Sequence, residues 1–138
     1  MITFKKQDLV NINDVLHLYQ AVGWTNYIHQ PQMLEQALSH SLAIYLALDG
    51  DAVVGLVRLV GDGFSSVFVQ DLIVLPTYQR QGIGSALMKE ALGDFKDAYQ
   101  VQLVTDQTEK TLGFYHSLGF ESLSTYDCTG MIWVNRKK

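Results

Sequence analysis

The stretch with the most chemical content is residues 71–85, DLIVLPTYQRQGIGS. It reads as a strand, a proline, a polar turn, a Gly-x-Gly step and the start of a helix. The first turn of a helix leaves backbone N–H groups without intrahelical partners, and the helix dipole puts partial positive charge at the same end. Gly82 and Gly84 carry no side chain, so an anion can approach the backbone closely, and Arg80 adds a fixed charge with a planar donor fork. Together these groups make an anion site suited to phosphate oxygens. At about 1.5–3 kcal/mol for each charge-assisted hydrogen bond, roughly four or five would hold a diphosphate without a metal. On spacing alone, a tight strand-to-helix connection accounts for the same residues. Two other glycine patterns are excluded. No Gly-Lys-Ser or Gly-Lys-Thr follows, as a Walker loop requires, and Leu87 stands where a dinucleotide fingerprint needs its third glycine.

Other residues have chemistry to offer. Residues 114–120, FYHSLGF, place a tyrosine inside a helical run that stops at Gly119. Trp24, Tyr27, His29 and Met33 lie close together in sequence, where aromatic rings could receive an ammonium group or simply cap a hydrophobic surface. His17, His40 and His116 have no metal-ligand spacing, and no His-Glu-x-x-His occurs. Cys128 is the only cysteine, which excludes a disulfide framework and any multi-cysteine metal site. It reads as a half-buried strand residue. The terminal Arg136-Lys137-Lys138 reads as a solvated tail.

The run Gln79-Arg80-Gln81-Gly82-Ile83-Gly84 matches a Gln/Arg-x-x-Gly-x-Gly/Ala signature, and residues 114–120 match Phe-Tyr-x-x-x-Gly-Phe. In this order, separated by one strand, they make the chain resemble the GNAT superfamily of N-acetyltransferases, most strongly over residues 66–121. The resemblance implies a mixed, mostly antiparallel central sheet with flanking helices, whose central strand splays from its neighbour to admit acetyl-CoA as cosubstrate. It implies no metal. The backbone of Leu72, Ile73 and Val74 would pair with the pantetheine amides. Backbone N–H groups of Arg80, Gln81, Gly82, Ile83, Gly84 and Ser85 would hold the pyrophosphate.

The resemblance also assigns side-chain roles. Tyr115 matches the family's usual general acid, serving the departing thiolate, though its position also suits an aromatic packed like Phe114. Asp71 matches an acid that some members carry near the acceptor. It is a candidate general base or, equally, a structural aspartate. Trp24, Tyr27 and His29 would line the acceptor pocket. The chain departs from the family pattern at Thr108, a shorter hydroxyl where an asparagine often contacts the cofactor, and at Leu103, where some members carry a glutamate. The activity implied is acetyl-CoA-dependent transfer directly to a primary amine, on a small molecule or a protein. The alternatives are a non-catalytic acyl-CoA-binding sensor or interaction module, and a transferase for a longer acyl group.

These residues need elements to position them. Ile2 to Lys6 reads as a first strand. Ile12, Val15, Leu16, Leu18, Tyr19 and Val22 give residues 11–22 a helical stripe, and Gly23 is a helix stop. Pro31 opens a second helix. Residues 43–49 and 52–60 form a hairpin around Asp49-Gly50. Residues 66–75 form a central strand closed by Pro76, followed by a helix at 83–95, a strand at 101–104, a helix at 107–118 and a last strand at 129–135. The order is β-α-α-β-β-β-α-β-α-β, a mixed sheet flanked by helices.

The 138 residues suit one domain, 1–138. With 48% apolar and 17% charged residues, the chain can bury enough surface to offset its ordering entropy. A net charge of −4 argues against a nucleic-acid partner. No apolar signal core follows the N-terminus, and runs such as residues 42–48 are too short to span a membrane. The expectation is a soluble cytoplasmic protein with no membrane partner. Its exposed edge strands would permit a homodimer.

Overall fold

The computed structural model describes residues 1–135, and the basic run Arg136-Lys137-Lys138 lies outside them. Contacts divide the chain into two compact units, Met1–Leu103 and the residues from Val104 onward.

The first unit contains β1 (Ile2–Lys6), α1 (Ile12–Ala21), α2 (Thr25–Ile28), α3 (Pro31–Ser39), β2 (Ala43–Asp49), β3 (Ala52–Gly61), β4 (Val67–Val74), a 3-10 turn at Pro76–Tyr78, α4 (Ile83–Asp94) and β5 (Val101–Leu103). The strands lie in chain order in one sheet. β1 to β4 pair antiparallel. β5 runs parallel to β4, as the intervening α4 crossover requires. Asn11 caps α1 by accepting from the Asn13 backbone N–H, and Pro31 sits in the first turn of α3, where its missing N–H costs nothing. The Asp49-Gly50 hairpin forms as expected, with Gly50 at φ +62°.

Side-chain alternation divides the core between the two faces of the sheet. On one face Val15, Leu18 and Tyr19 of α1 and Leu34 and Leu38 of α3 pack on Ile44, Leu46, Leu56 and Ile73. Gly55, next to Leu56, points the other way, toward α4. A Cβ there would lie 3.3 Å from a Leu87 methyl and 3.2 Å from the Ile73 carbonyl oxygen, so the glycine is what lets α4 approach the sheet so closely. Ile83, Leu87, Met88 and Ala91 are the buried stripe of that helix.

The second unit contains α5 (Glu109–Ser117) and a 3-10 turn at Leu123–Tyr126. Thr108 caps α5 by accepting from the Thr111 backbone N–H. Two expectations need correction. Residues 129–135 are not a strand in this structure, because the strand preference of such side chains depends on the context they pack in more than on the residues themselves. Cys128 is exposed rather than half-buried. Conversely, α2 lacked any sequence signal, having four residues and no side-chain cap. No described helix is long and apolar enough to cross a membrane.

Candidate active site

The ladder between β4 and β5 covers only Val67–Val69 on β4. Beyond it, residues 71–74 stay paired with β3 on one edge while the ladder to β5 does not continue along the other. This is the splay expected of the central strand. Half the amide and carbonyl groups of such a strand point to each edge, so the edge beyond the ladder can accept an added extended chain in the manner of β-augmentation. Leu72, Ile73 and Val74 all lie on it.

A bulge sits at the start of this stretch. Arg58 pairs with Asp71 but Leu59 pairs with Val69, which leaves Gln70 without a partner. Bulges re-aim side chains, and the residue redirected here is Asp71. Its carboxylate is only 2% exposed, with Arg58 at 4% beside it. Oδ2 accepts from Arg58 Nε at 2.7 Å and from the Tyr19 hydroxyl at 2.8 Å, and Oδ1 accepts from the Tyr27 hydroxyl at 3.2 Å. The guanidinium is satisfied in turn. Its Nη1 donates to Ser41 Oγ and the Ala37 carbonyl, and its Nη2 to the Tyr27 oxygen. Both phenols are held above their ordinary pKa, first by burial and then by the Asp71 charge. They therefore remain hydrogen-bond donors across the physiological range.

Tyr27 extends this buried network to a half-exposed aromatic group. Its ring lies 5.0 Å from Tyr19 and 6.3 Å from Trp24. His29 is exposed at the end of α2. The structure thus joins Asp71, Tyr27 and Trp24 in one cluster and leaves His29 at its margin. Arg58 was not named from the sequence, and Tyr19 was named only as part of the α1 stripe, not as a site residue. A lone arginine within AVVGLVRLVG is the signal that could have found one of them, since a charge in an apolar strand needs a partner.

The turn after β4 is built from backbone contacts and two side-chain braces. Tyr78 donates to Asp49 Oδ2 at 2.6 Å, and Gln79 Nε2 donates to the Val74 carbonyl at 3.1 Å. Arg80 adopts φ +65° and Gly82 φ +79°. Gly82 is the N-cap of α4, with no side-chain cap. The first intrahelical bond runs from Ala86 N–H to the Gly82 carbonyl, and among the described residues the N–H groups of Ile83, Gly84 and Ser85 have no acceptor. An anion is the natural partner for such a trio at a helix N-terminus. Arg80 and Gln81 are exposed beside it.

Tyr115 and Thr108 belong to the second unit. The Tyr115 ring is wedged edge-on between Phe114, at 5.0 Å, and Phe120, at 5.8 Å. Burial, then the Asp106 charge, pushes its phenol upward, so it carries a proton at neutral pH. Among the described residues its hydroxyl has no hydrogen-bond partner. The Thr108 hydroxyl is less available, because it donates to Asp106 and lies within 2.9 Å of the Thr111 hydroxyl. Among the described residues, no cluster of three or more His, Cys, Asp or Glu could hold a metal ion.

A sequence profile of the acetyltransferase (GNAT) domain matches residues 40–122, and the chain belongs to that family. A solved GNAT family acetyltransferase from Streptococcus pneumoniae TIGR4 is 80% identical, with 99% of each chain covered and a TM-score of 0.91. GCN5-related N-acetyltransferase 1, chloroplastic, of Arabidopsis thaliana is 26% identical over 94% of this chain and 65% of its own length. Serotonin N-acetyltransferase 2, chloroplastic, of Oryza sativa subsp. japonica is 30% identical over 82% of this chain and 56% of its own length. The chain therefore spans less than two-thirds of either plant protein.

Proposed function

We propose that the chain transfers an acetyl group from acetyl-CoA directly to a primary amine. The observation that carries this reading is the continuity of a strand edge at residues 71–74, beyond the β5 ladder, with an uncapped helix start at 83–85. One suits an amide-bearing extended chain and the other suits phosphates, in the order in which coenzyme A presents them.

Acetyl-CoA supplies the thioester, and the chain's own groups do the rest. A backbone N–H near Val74 polarises the carbonyl oxygen as charge develops on it. The amine nitrogen forms the new C–N bond, the C–S bond breaks, and the Tyr115 hydroxyl gives its proton to the leaving sulfur. Both Asp71 oxygens are engaged, so a proton leaving the acceptor reaches Asp71 through the Tyr27 hydroxyl, the half-exposed end of the network. Trp24 and Tyr27 offer ring faces to the incoming ammonium, and His29 stands at the rim. The rice relative's name makes an arylalkylamine a reasonable first acceptor.

The test is thiol release from acetyl-CoA with a panel containing serotonin, a polyamine and a peptide N-terminus, combined with calorimetric titration of coenzyme A. Tyr115→Phe should lower kcat by about 100-fold or more and leave coenzyme A affinity within about twofold. No heat on titrating coenzyme A into the native chain would overturn the assignment. Tight binding without turnover on any amine would favour a sensor.

A further inference from the structure

We propose that Gln70 is a specificity-determining residue of the acceptor site, holding one N–H of the incoming amine while the Tyr27 oxygen holds the other, so that a primary amine is chosen over a secondary one. The inference rests on the transfer reading above and adds a restriction on the substrate. It starts from the bulge in β4. Arg58 faces Asp71 and Leu59 faces Val69, which leaves Gln70 outside the ladder. In a regular strand consecutive side chains point to opposite faces. Here Gln70 and Asp71 both reach the hydroxyl of Tyr27, because the extra residue re-aims the side chains around it.

The Tyr27 hydroxyl is fully used. A phenol has one proton and two lone pairs. The proton goes to Asp71 Oδ1 at 3.2 Å. One lone pair takes Arg58 Nη2 at 3.4 Å, and the Gln70 amide supplies a second donor. An amine N–H reaches this oxygen only by displacing one of the two. Arg58 is 4% exposed and also bonded to Asp71, Ser41 and Ala37, so it stays. Gln70 is exposed and can yield. Its terminal torsion is soft and roughly two-fold, so the amide turns over and presents its carbonyl oxygen where its NH2 had been. The phenol oxygen and the amide oxygen then stand side by side, two acceptors that need an N–H each. At attack the lone pair of the amine points at the thioester carbon. A primary amine still has two N–H groups for the two oxygens, whereas a secondary amine has one and leaves an acceptor unpaired. As the C–N bond forms, the proton on the Tyr27 side passes to the phenol oxygen and the phenol's own proton passes to Asp71 Oδ1, which leaves the nitrogen neutral.

The test compares kcat/KM for the fastest amine of the panel above with that for its N-methyl derivative. The native chain should prefer the primary amine by about 10-fold or more, the effect of one hydrogen bond whose loss strands an acceptor. Gln70→Met, close in length but without hydrogen bonds, should shrink that preference about 10-fold by slowing the primary amine alone. Gln70→Glu keeps an acceptor oxygen and should keep the preference. A merely structural role would slow both amines alike and lower the unfolding midpoint in urea. An unchanged preference in Gln70→Met, an equal loss on both amines, or a preference lost in Gln70→Glu would each overturn this proposal and leave the transfer reading standing. A native chain that turns over no amine overturns both.

Discussion

Arg58 is the only charged side chain in β3, and its fate shows how much one residue can decide. Burial opposes its charge, but Asp71 and the two flanking phenols outweigh that cost and hold its pKa above the ordinary value. A buried ion pair contributes little net stability over apolar packing, yet removing one partner strands the other. Asp71→Ala or Arg58→Met should each cost about 3–5 kcal/mol in urea unfolding. The double variant should cost less than the sum by at least about 1 kcal/mol, the coupling expected of residues in direct contact. If the losses simply add, the pair is not a unit. The sequence places Asp71 on the central strand but not on a face, because the bulge at Gln70 resets the alternation from which a face is read. No local pattern announces that reset.

Elements were legible where periodicity is strong. The α1 stripe, the Pro31 helix start, the Asp49-Gly50 hairpin and the strand before Pro76 all follow from local chemistry. Failures came where local chemistry is silent, in the four-residue α2, and where it misleads, in residues 129–135, whose strand-like composition does not produce a strand. The start of α4 was legible because its glycines and polar residues leave amides that nothing else can satisfy. A Cβ at Gly82 would meet no atom within 4 Å, so the effect of Gly82→Ala comes from φ alone. The left-handed conformation should cost about 1–2 kcal/mol, measured by chemical unfolding. Because the turn would relax toward negative φ, calorimetric affinity for coenzyme A should fall as well. Unchanged affinity would place the phosphates elsewhere.

At the scale of the molecule, every buried hydrophobic residue among those described lies between Val15 and Ala91. From Val104 to Asn135 none is buried. Hydrogen exchange should therefore show strong protection in β2, β3, β4 and α4, and exchange many times faster in α5, since opening free energy follows buried contact. Equal protection in α5 would show that burial in one copy is a poor guide to its stability. This uneven distribution was not legible in the sequence, where residues 107–118 read as one more helix like that at 83–95.

The α4 start has one more consequence. The trio that would hold the diphosphate consists of main-chain amides, which carry no titrating proton near neutrality. Their grip on the diphosphate should thus be nearly indifferent to acidity between about pH 7 and 9, so that a change in rate across that range reports the acceptor's proton and its route out rather than loss of the diphosphate.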